Sequence, residues 1–413
     1  MKNGNCIAAA CIPSHRNVRR RELKEGEGVV SVSSLPDEIL QHILCFLPTK
    51  LVVTTSVLSS RWRHIWCDTP SISLNSSTLG VASIMVRQHR YKAPKMMSLH
   101  LQTGTRENVK HINTWIELAM SRRVEKMYLE LKFKRGYYEF PDFFYINSSV
   151  KELRVAFMFN ANFTLIPKCS VSWASLKKLS LRACRLSNMS IAMILSGCPI
   201  LEFLKLDSCD DLRVLDLSNS LRLRTLHVRR PYIGPYFRDP SPMQIVAPHV
   251  RCLKLINSLL LCDLVDLSSL AEAKLSIYFD DLLRIEPDSL GVLVVKMAEM
   301  LEKLHNVEKL TLGRKFIEIL SHPELGSVPF PMFKIKALTL ETPFAEASYV
   351  IPPAIEKLLQ HSPDLKKLNP THKSLLHKAW RSILTTTRIC KAWTLINAKD
   401  QNMESFGRCP VGK

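Results

Sequence analysis

The sequence predicts an α/β protein with a small helical domain near its N-terminus and a solenoid of strand-containing repeats behind it. Between residues 35 and 66, apolar residues recur at the three- and four-residue spacing of short amphipathic helices. From residue 96 onward, the pattern apolar-x-x-apolar-x-apolar recurs about every 26 residues, which is the period and strand signature of leucine-rich repeats. The chain has 413 residues, 46% of them hydrophobic and 23% charged, so it can hold two or more globular domains.

The first predicted helix begins near Pro36 and ends at Pro48. Proline suits the first turn of a helix, where its missing N–H is not needed, and a later proline stops the helix. Asp37 and Glu38 favour the positive N-terminal end. The helix carries a single apolar stripe, formed by Ile39, Leu40, Ile43, Leu44 and Leu47.

Two further helices are predicted in the same segment. Thr49 can cap the second helix, and Ser59 or Ser60 can cap a third that carries Trp62 and Trp66 on one face. About thirty residues cannot bury so much apolar surface alone. The remaining surface must therefore face the following domain, a partner, or both.

The repeats begin at regularly spaced apolar residues: Met96, Val124, Val150, Leu176, Leu201, Leu223, Val250, Leu270, Val307, Ile335 and, incompletely, Leu365. Each copy predicts a strand and a return segment, and stacked copies form a parallel sheet that lines a curved surface. In residues 176–184 and 201–209, a final cysteine occupies the position that closes the turn with hydrogen bonds. Spacings of 20 and 37 residues predict insertions or a break, and the longer one holds the apolar run 290–301, which predicts a long convex helix.

The N-terminal segment resembles a plant-type F-box. The resemblance rests on Leu35-Pro36, Glu38-Ile39-Leu40, Ile43-Leu44, Leu47-Pro48, Ser56-Val57-Leu58-Ser59, Arg61-Trp62-Arg63 and Trp66, while Leu51 stands where the family often has an acidic residue. It implies binding to the Skp-type adaptor of a cullin-based ubiquitin ligase, through Leu35, Pro36, Ile39, Ile43, Pro48, Leu58 and Trp62. The alternative is that these apolar residues only form the core of a small domain, and both can hold.

The repeat region is similar to that of plant F-box proteins with leucine-rich repeats and a C-terminal FBD segment. The similarity covers about residues 31–369 and includes INTWIELAM, SGCPILEFLKLDSC and FPMFKIKALTLET. After Leu368 the family would continue with another strand, but this chain has Asn369-Pro370. The last stretch could form an amphipathic helix that caps the final repeat, or a loosely ordered tail.

These observations predict six consecutive regions. They are a disordered basic leader (1–30), an F-box (31–70), a connector (71–95), the leucine-rich-repeat solenoid (96–342), the start of an FBD-like segment (343–369) and a divergent tail (370–413).

The outward side chains of the repeats suggest a target-binding surface. Because strand residues alternate between faces, the residues two, four and six positions after the first apolar residue of each repeat are predicted to point outward. Basic residues dominate the central copies, and we consider these residues as target-binding candidates: Arg154, Lys178, Arg182, Lys205, His227, Arg229, Lys254 and Lys274. The hypothesis is that they hold an acidic or phosphorylated protein segment. The alternative is an ordinary solvated surface.

Other function classes have little support in the sequence. The chain carries no GxSxG elbow, P-loop, HExxH or GxGxxG motif and no CxxC pair, so neither a catalytic residue, a metal site nor a cofactor is predicted. A net charge of +20 favours acidic partners, nucleic acid included, but the charge is spread along the chain and no nucleic-acid-binding module is visible.

The expected location is the cytoplasm, the nucleus, or both. Four of the twelve cysteines lie at repeat-consensus or strand positions, which suggests buried reduced thiols. The N-terminus lacks the order of a secretory signal, and no apolar run is long enough to predict a membrane span.

Taken with the resemblance, the sequence predicts a non-catalytic substrate receptor of an SCF-type ligase. Its F-box would bind the adaptor and its repeats would hold the protein destined for ubiquitination. The alternatives are a scaffold or degenerate F-box protein that works outside a ligase, and a nucleic-acid-binding protein.

Overall fold

A computed structural model describes most of the chain between residues 32 and 370. The described residues are 32–80, 82–83, 91–104, 106–133, 138–157, 165–209, 211–230, 243–256, 262–277, 287–320, 331–341 and 353–370. The predicted leader (1–30) and nearly all of the predicted tail (370–413) lie outside them.

The predicted N-terminal helices are present. They are α1 (Asp37–Leu44), α2 (Thr49–Thr54) and α3 (Trp62–Ile65), accompanied by single 3-10 turns at Val32–Ser34, Thr55–Val57 and Trp66–Asp68. Pro36 does not lie in the first turn of α1; it is the residue before it, with ψ at 152°. Its carbonyl accepts from the N–H groups of Ile39 and Leu40 at 3.1 Å.

The helical domain has its own small core. The buried residues that form it are Leu40, Leu44, Val52, Trp62, Ile65, Trp66 and Cys67, with Leu35 packed against them. Ser59 accepts from the backbone N–H of Trp62 at 3.4 Å, as its predicted capping position requires. Thr49 has a different role, described below.

Behind this domain, parallel strands form one long sheet of twelve strands, in the order β1-β2-β3-β4-β5-β6-β8-β10-β12-β13-β14-β15. Their bounds are β1 (Ser71–Asn75), β2 (Ser98–Thr103), β3 (Lys126–Leu131), β4 (Glu152–Phe157), β5 (Lys178–Arg182), β6 (Phe203–Asp207), β8 (Thr225–Arg229), β10 (Cys252–Ile256), β12 (Glu272–Ser276), β13 (Lys309–Leu312), β14 (Ala337–Leu340) and β15 (Lys367–Pro370).

The predicted repeats coincide with these strands. Each strand from β2 onward begins two residues after a predicted repeat start, as Lys178 follows Leu176. The strand β1 extends the sheet by one repeat that the sequence pattern missed, so the predicted connector (71–95) contains part of the sheet. Its first consensus position is occupied by Thr69, which is polar but buried, and this residue hid the repeat from a search for apolar positions.

Three consecutive repeats, which start at Leu201, Leu223 and Val250, return through strands. β7 (Val214–Asp216), β9 (Met243–Val246) and β11 (Cys262–Asp266) form a second parallel sheet in the order β11-β9-β7, packed on the same core. A strand spans about twice the distance of a helix per residue, so a strand return needs fewer residues. This explains the 20-residue spacing, across which β10 and β12 pair without a break.

Within the described residues, six of the other returns contain a helix: α4 (Val109–Ser121), α5 (Asp142–Tyr145), α6 (Asn188–Ser196), α7 (Pro287–Lys303), α8 (Arg314–Leu320) and α9 (Pro353–Gln360). The helix α7 fills the 37-residue spacing and confirms the long helix predicted there. The predicted FBD-like segment contains α9 and β15, and Leu368 of β15 pairs with Leu338 of β14.

The turns after β5 and β6 use their cysteines as predicted. The thiol of Cys209 donates to the carbonyl of Leu181 at 3.5 Å, and the thiol of Cys184 donates to that of Arg182 at 3.4 Å. The residues just before these cysteines, Ala183 and Ser208, have φ of 52° and 55°, so the chain bends sharply there. None of the helices in the described residues has the length and apolar character needed to cross a bilayer.

Candidate functional site: an apolar helical surface and a basic sheet face

The stripe on α1 divides into an inward and an outward half. Leu40 and Leu44 are 0% and 1% exposed and belong to the core. Ile39 and Ile43, on the other side of the same helix, are 47% and 40% exposed. Branched aliphatic side chains left in water on one helix face are typical of a surface that a partner covers.

More apolar side chains of the same domain are exposed, and together they define the F-box surface. It consists of Ile39, Ile43, Phe46, Leu47, Leu51, Val57 and Leu58. Phe46 and Val57, at 76% and 86% exposure, were absent from the predicted contact set. Their apolar character was visible in the sequence, but nothing in the helix pattern told an outward position from a core position. Pro36 and Pro48 of the predicted set are exposed beside them.

Trp62 corrects the predicted contact set. It is only 4% exposed and packs inside the helical core, so its side chain supports the surface from beneath. Leu35 is half-buried against the same core.

Arg61 fixes the start of α1 against the turn before α3. Its Nε donates to an Asp37 carboxylate oxygen at 2.6 Å, and its Nη2 donates to the carbonyl of Leu35 at 2.5 Å. Leu35 and Asp37, the two partners of Arg61, lie on either side of Pro36, which is exposed. Arg61, which stands in the Arg-Trp-Arg motif, therefore orients the beginning of the F-box surface.

A hydrogen bond joins the helical domain to the sheet. Thr49 is 6% exposed, and its Oγ1 accepts from the backbone N–H of Ser73 in β1 at 2.9 Å. Thr49, which was predicted to cap α2, thus accepts a hydrogen bond from β1 instead. The sheet edge and the F-box surface are held together at this point.

The open sheet face is the second candidate surface, and we define it by the outward middle row of the strands. Strand register aligns ten of these residues as predicted: His100, Tyr128, Arg154, Ser180, Lys205, His227, Lys254, Lys274, Thr311 and Thr339. Ser73 of β1, a strand that was not predicted, extends the row by one residue. The leucines and other apolar residues between them point into the core. The predicted alternation is confirmed.

Several basic residues of this face are already paired. Arg154 binds the Glu152 carboxylate at 2.6 Å and lies over the Tyr128 ring, 4.9 Å from its centroid. Lys274 forms an ion pair with Glu341. Both side chains therefore have partners within the protein, which lowers their attraction for an external anion.

The basic pocket lies between β6, β8 and β10. Its cavity of about 380 Å³ is lined by Lys205, Asp207, His227, Arg229, Lys254 and Ile256 among others. Asp207 is almost buried and lies between Arg182 and Arg229, at 3.8 and 3.5 Å from their nitrogens. The Ser208 hydroxyl also donates to Asp207, at 3.0 Å, so this carboxylate is held within the protein.

His227 lies at the centre of the basic pocket. Burial, together with the charges of Lys254 and Lys205 on either side, lowers its pKa to about 4. The edge of the imidazole meets the Phe203 ring at a centroid distance of 4.8 Å. At neutral pH the ring is uncharged, so it offers a hydrogen bond without adding to the positive charge.

The structure thus divides the predicted target-binding residues. Lys205, His227, Arg229 and Lys254 line one pocket, and Arg182 supports its carboxylate. Arg154, Lys178 and Lys274 lie elsewhere on the open sheet face and do not line the pocket.

Comparisons with known proteins agree with both parts of the structure. Residues 32–73 match the F-box domain family, and residues 85–325 match the family described as At1g61320/AtMIF1, LRR domain. The second match covers more than half of the chain and includes the strands of the basic pocket.

Relatives from Arabidopsis thaliana are named for the same two features. The putative F-box/LRR-repeat protein At3g18150 is 54% identical over 388 residues, which cover 92% of this chain and 80% of that protein. The F-box/LRR-repeat protein At3g03360 is 50% identical over 82% of this chain and 69% of its own length, and At5g02910 is 47% identical over 83% and 72%. The chain belongs to the F-box/LRR-repeat protein family.

Proposed function

We propose that this protein is a non-catalytic substrate receptor of a cullin-based, SCF-type ubiquitin ligase. Its F-box surface binds a Skp-type adaptor, and its open sheet face holds the protein to be ubiquitinated. Holding a target near the charged conjugating enzyme turns a bimolecular transfer into an effectively intramolecular one. Such a receptor needs no catalytic residues of its own.

The observation that carries this proposal is the exposed apolar F-box surface on an otherwise folded domain. Ile39 and Ile43 are 47% and 40% exposed although α1 has a buried side available. Exposing such side chains has a cost in free energy that a binding partner removes. The joint between Thr49 and Ser73 then holds the sheet in a fixed orientation to the adaptor.

The proposal is also consistent with a reducing compartment such as the cytoplasm or nucleus. Every cysteine among the described residues is a free thiol, and Cys184, Cys198 and Cys209 are buried in the solenoid. Burial raises the pKa of the Cys198 thiol to about 12, which keeps it protonated and unreactive.

The test is co-purification with a plant Skp-type adaptor, comparing the wild type with Ile39→Asp/Ile43→Asp. Anchors in such an interface contribute about 2 kcal/mol each, so the double variant should bind about a thousandfold more weakly. Both positions are exposed, so the variant should remain folded. Trp62→Ala is unsuitable because it would empty the helical core.

The matched control is Met189→Asp, which makes the same kind of change at a side chain on α6 that is 72% exposed. It should leave adaptor binding unchanged. A folded wild-type chain that forms no complex would contradict the receptor role and favour a scaffold outside a ligase.

A further inference from the structure

We infer that the basic pocket between β6, β8 and β10 binds a phosphate monoester on a side chain of the target protein. The inference rests on the proposed receptor function and names the chemistry by which the target is recognised. It concerns this one pocket and not the open sheet face as a whole.

The first argument is the arrangement of charge. Lys205 and Lys254 flank His227 from the neighbouring strands, and within the described part of the chain neither forms an ion pair with a carboxylate. Neighbouring strands are about 4.8 Å apart, so Lys205 and Lys254 lie about 10 Å apart across one strand, and both line the same cavity. Two positive charges in one cavity repel each other, and a bound dianion would relieve that repulsion.

The second argument is that the carboxylate of the pocket, Asp207, is already paired with other groups of the protein. Asp207 is held by Arg182, Arg229 and Ser208, and its side chain is 5% exposed. It therefore does not compete for the two lysines. It also fixes Arg229, whose side chain remains 38% exposed at the wall of the cavity and can donate further hydrogen bonds.

The third argument is the neutral imidazole. Because His227 is uncharged at neutral pH, it can donate one hydrogen bond to a phosphate oxygen beside the lysines. Phe203 and Ile256 flank the charged groups with apolar surface, which suits the carbon stem of a phosphorylated residue. A volume of about 380 Å³ lies within the range of small-ligand pockets.

A phosphate monoester fits better than a carboxylate. It carries close to two negative charges at neutral pH and three acceptor oxygens, whereas an aspartate or glutamate carries one charge. Two lysines that have no ion-pair partner among the described residues, an arginine N–H and an imidazole N–H match the larger number of acceptors.

The test uses the full chain and libraries of short peptides with phosphoserine, phosphothreonine or phosphotyrosine fixed at the centre and random residues around it. Each library is compared with an unphosphorylated twin and with a twin carrying glutamate at the centre. We expect one phosphorylated library to be enriched over both twins. We expect Lys205→Ala/Lys254→Ala to reduce that capture about tenfold or more, the loss of about one charge-assisted hydrogen bond.

The matched control is Lys126→Ala/Lys309→Ala, which removes the same charge from outward positions of β3 and β13. It should reduce capture far less. Equal loss in both double variants would show long-range attraction alone and would overturn the inference. So would equal capture of the glutamate library, or binding of inorganic phosphate with no enrichment of any phosphorylated library.

Adaptor binding by the same protein samples separates this inference from the receptor role. Lys205→Ala/Lys254→Ala should bind the adaptor like the wild type, which also shows that it is folded. A chain that binds the adaptor and enriches no phosphorylated library would overturn the phosphate site alone. Enrichment without adaptor binding would overturn the receptor role alone.

Discussion

Ile39 and Leu40 are sequence neighbours with side chains of the same size, yet they have different roles. Leu40 is fully buried in the helical core and Ile39 is 47% exposed on the F-box surface. The difference arises because successive helix residues are turned by about 100° around the axis. A mutation at Leu40 should act through folding, while one at Ile39 should act through binding.

The titration of His227 reports on the charges around it. Lys205 and Lys254 face the ring from the adjacent strands, Arg229 and Asp207 line the same pocket, and Phe203 packs against the ring edge. With a folded pKa of about 4, we expect the ring resonances to stay unchanged down to about pH 5 in an NMR titration without phosphate. Lys254→Met should raise the pKa, because it removes a neighbouring positive charge.

The same shift affects stability in a defined direction. An unfolded His227 takes up a proton as the pH falls below about 6.5, whereas the folded protein does not do so until about pH 4. The unfolded state therefore binds more protons in this window, and the contribution of His227 to folding stability falls as the pH falls. In the NMR titration, Lys309→Met serves as the control for Lys254→Met. A wild-type titration midpoint of His227 near the ordinary histidine value would contradict the lowered pKa.

At the scale of elements, the joint between α2 and β1 determines how the helical domain sits on the sheet. Thr49→Val keeps the side-chain shape but removes the acceptor for the Ser73 N–H, which is part-buried. An unpaired backbone donor of this kind costs about 1–2 kcal/mol. We expect faster hydrogen exchange at the Ser73 amide and in α2.

Thr54→Val is the matched control for this joint. Thr54 lies on the same helix, is exposed, and its hydroxyl donates only to the Leu51 carbonyl one turn earlier. It should leave exchange at Ser73 unchanged. Equal exchange in the two variants would show that the Thr49 contact does not hold the domains together.

The elements also show what a sequence can and cannot reveal. Repeat starts were predictable because an apolar-x-x-apolar-x-apolar strand must bury its leucines on one side, and the strands of the twelve-stranded sheet from β2 onward begin where that pattern placed them. The strand β1 was missed since buried Thr69 replaces an apolar residue. The returns through β7, β9 and β11 were missed because short apolar runs do not distinguish a strand from a helix.

The candidate sites were predicted less well, for a physical reason. Alternation showed which residues of a strand point outward, so the middle row was correct. The pattern did not show which outward side chains would pair with each other: Arg154 is bound by Glu152, two positions earlier in the same strand, and Lys274 by Glu341, which is distant in the sequence. Burial of Trp62 likewise depends on how the three helices pack.

At the scale of the whole molecule, the net charge of +20 raises the question of nucleic-acid binding. Many of the basic side chains among the described residues are paired with carboxylates, as Lys151 is with Glu125 and Arg185 with Asp211. The remaining positive potential should attract any polyanion weakly and without sequence preference.

We therefore expect binding to duplex DNA only at low salt. DNA binding through surface cations weakens steeply as salt rises, because the release of counterions into a more concentrated salt solution favours binding less. Fluorescence anisotropy with a labelled duplex should show binding at low ionic strength that is lost by about 0.15 M salt, where the Debye length is about 8 Å. The proposed adaptor complex would use the apolar F-box surface, so it should persist across the same range. DNA binding that survives at that salt and depends on base sequence would instead support a nucleic-acid-binding role, and the open sheet face would then be the surface to mutate first.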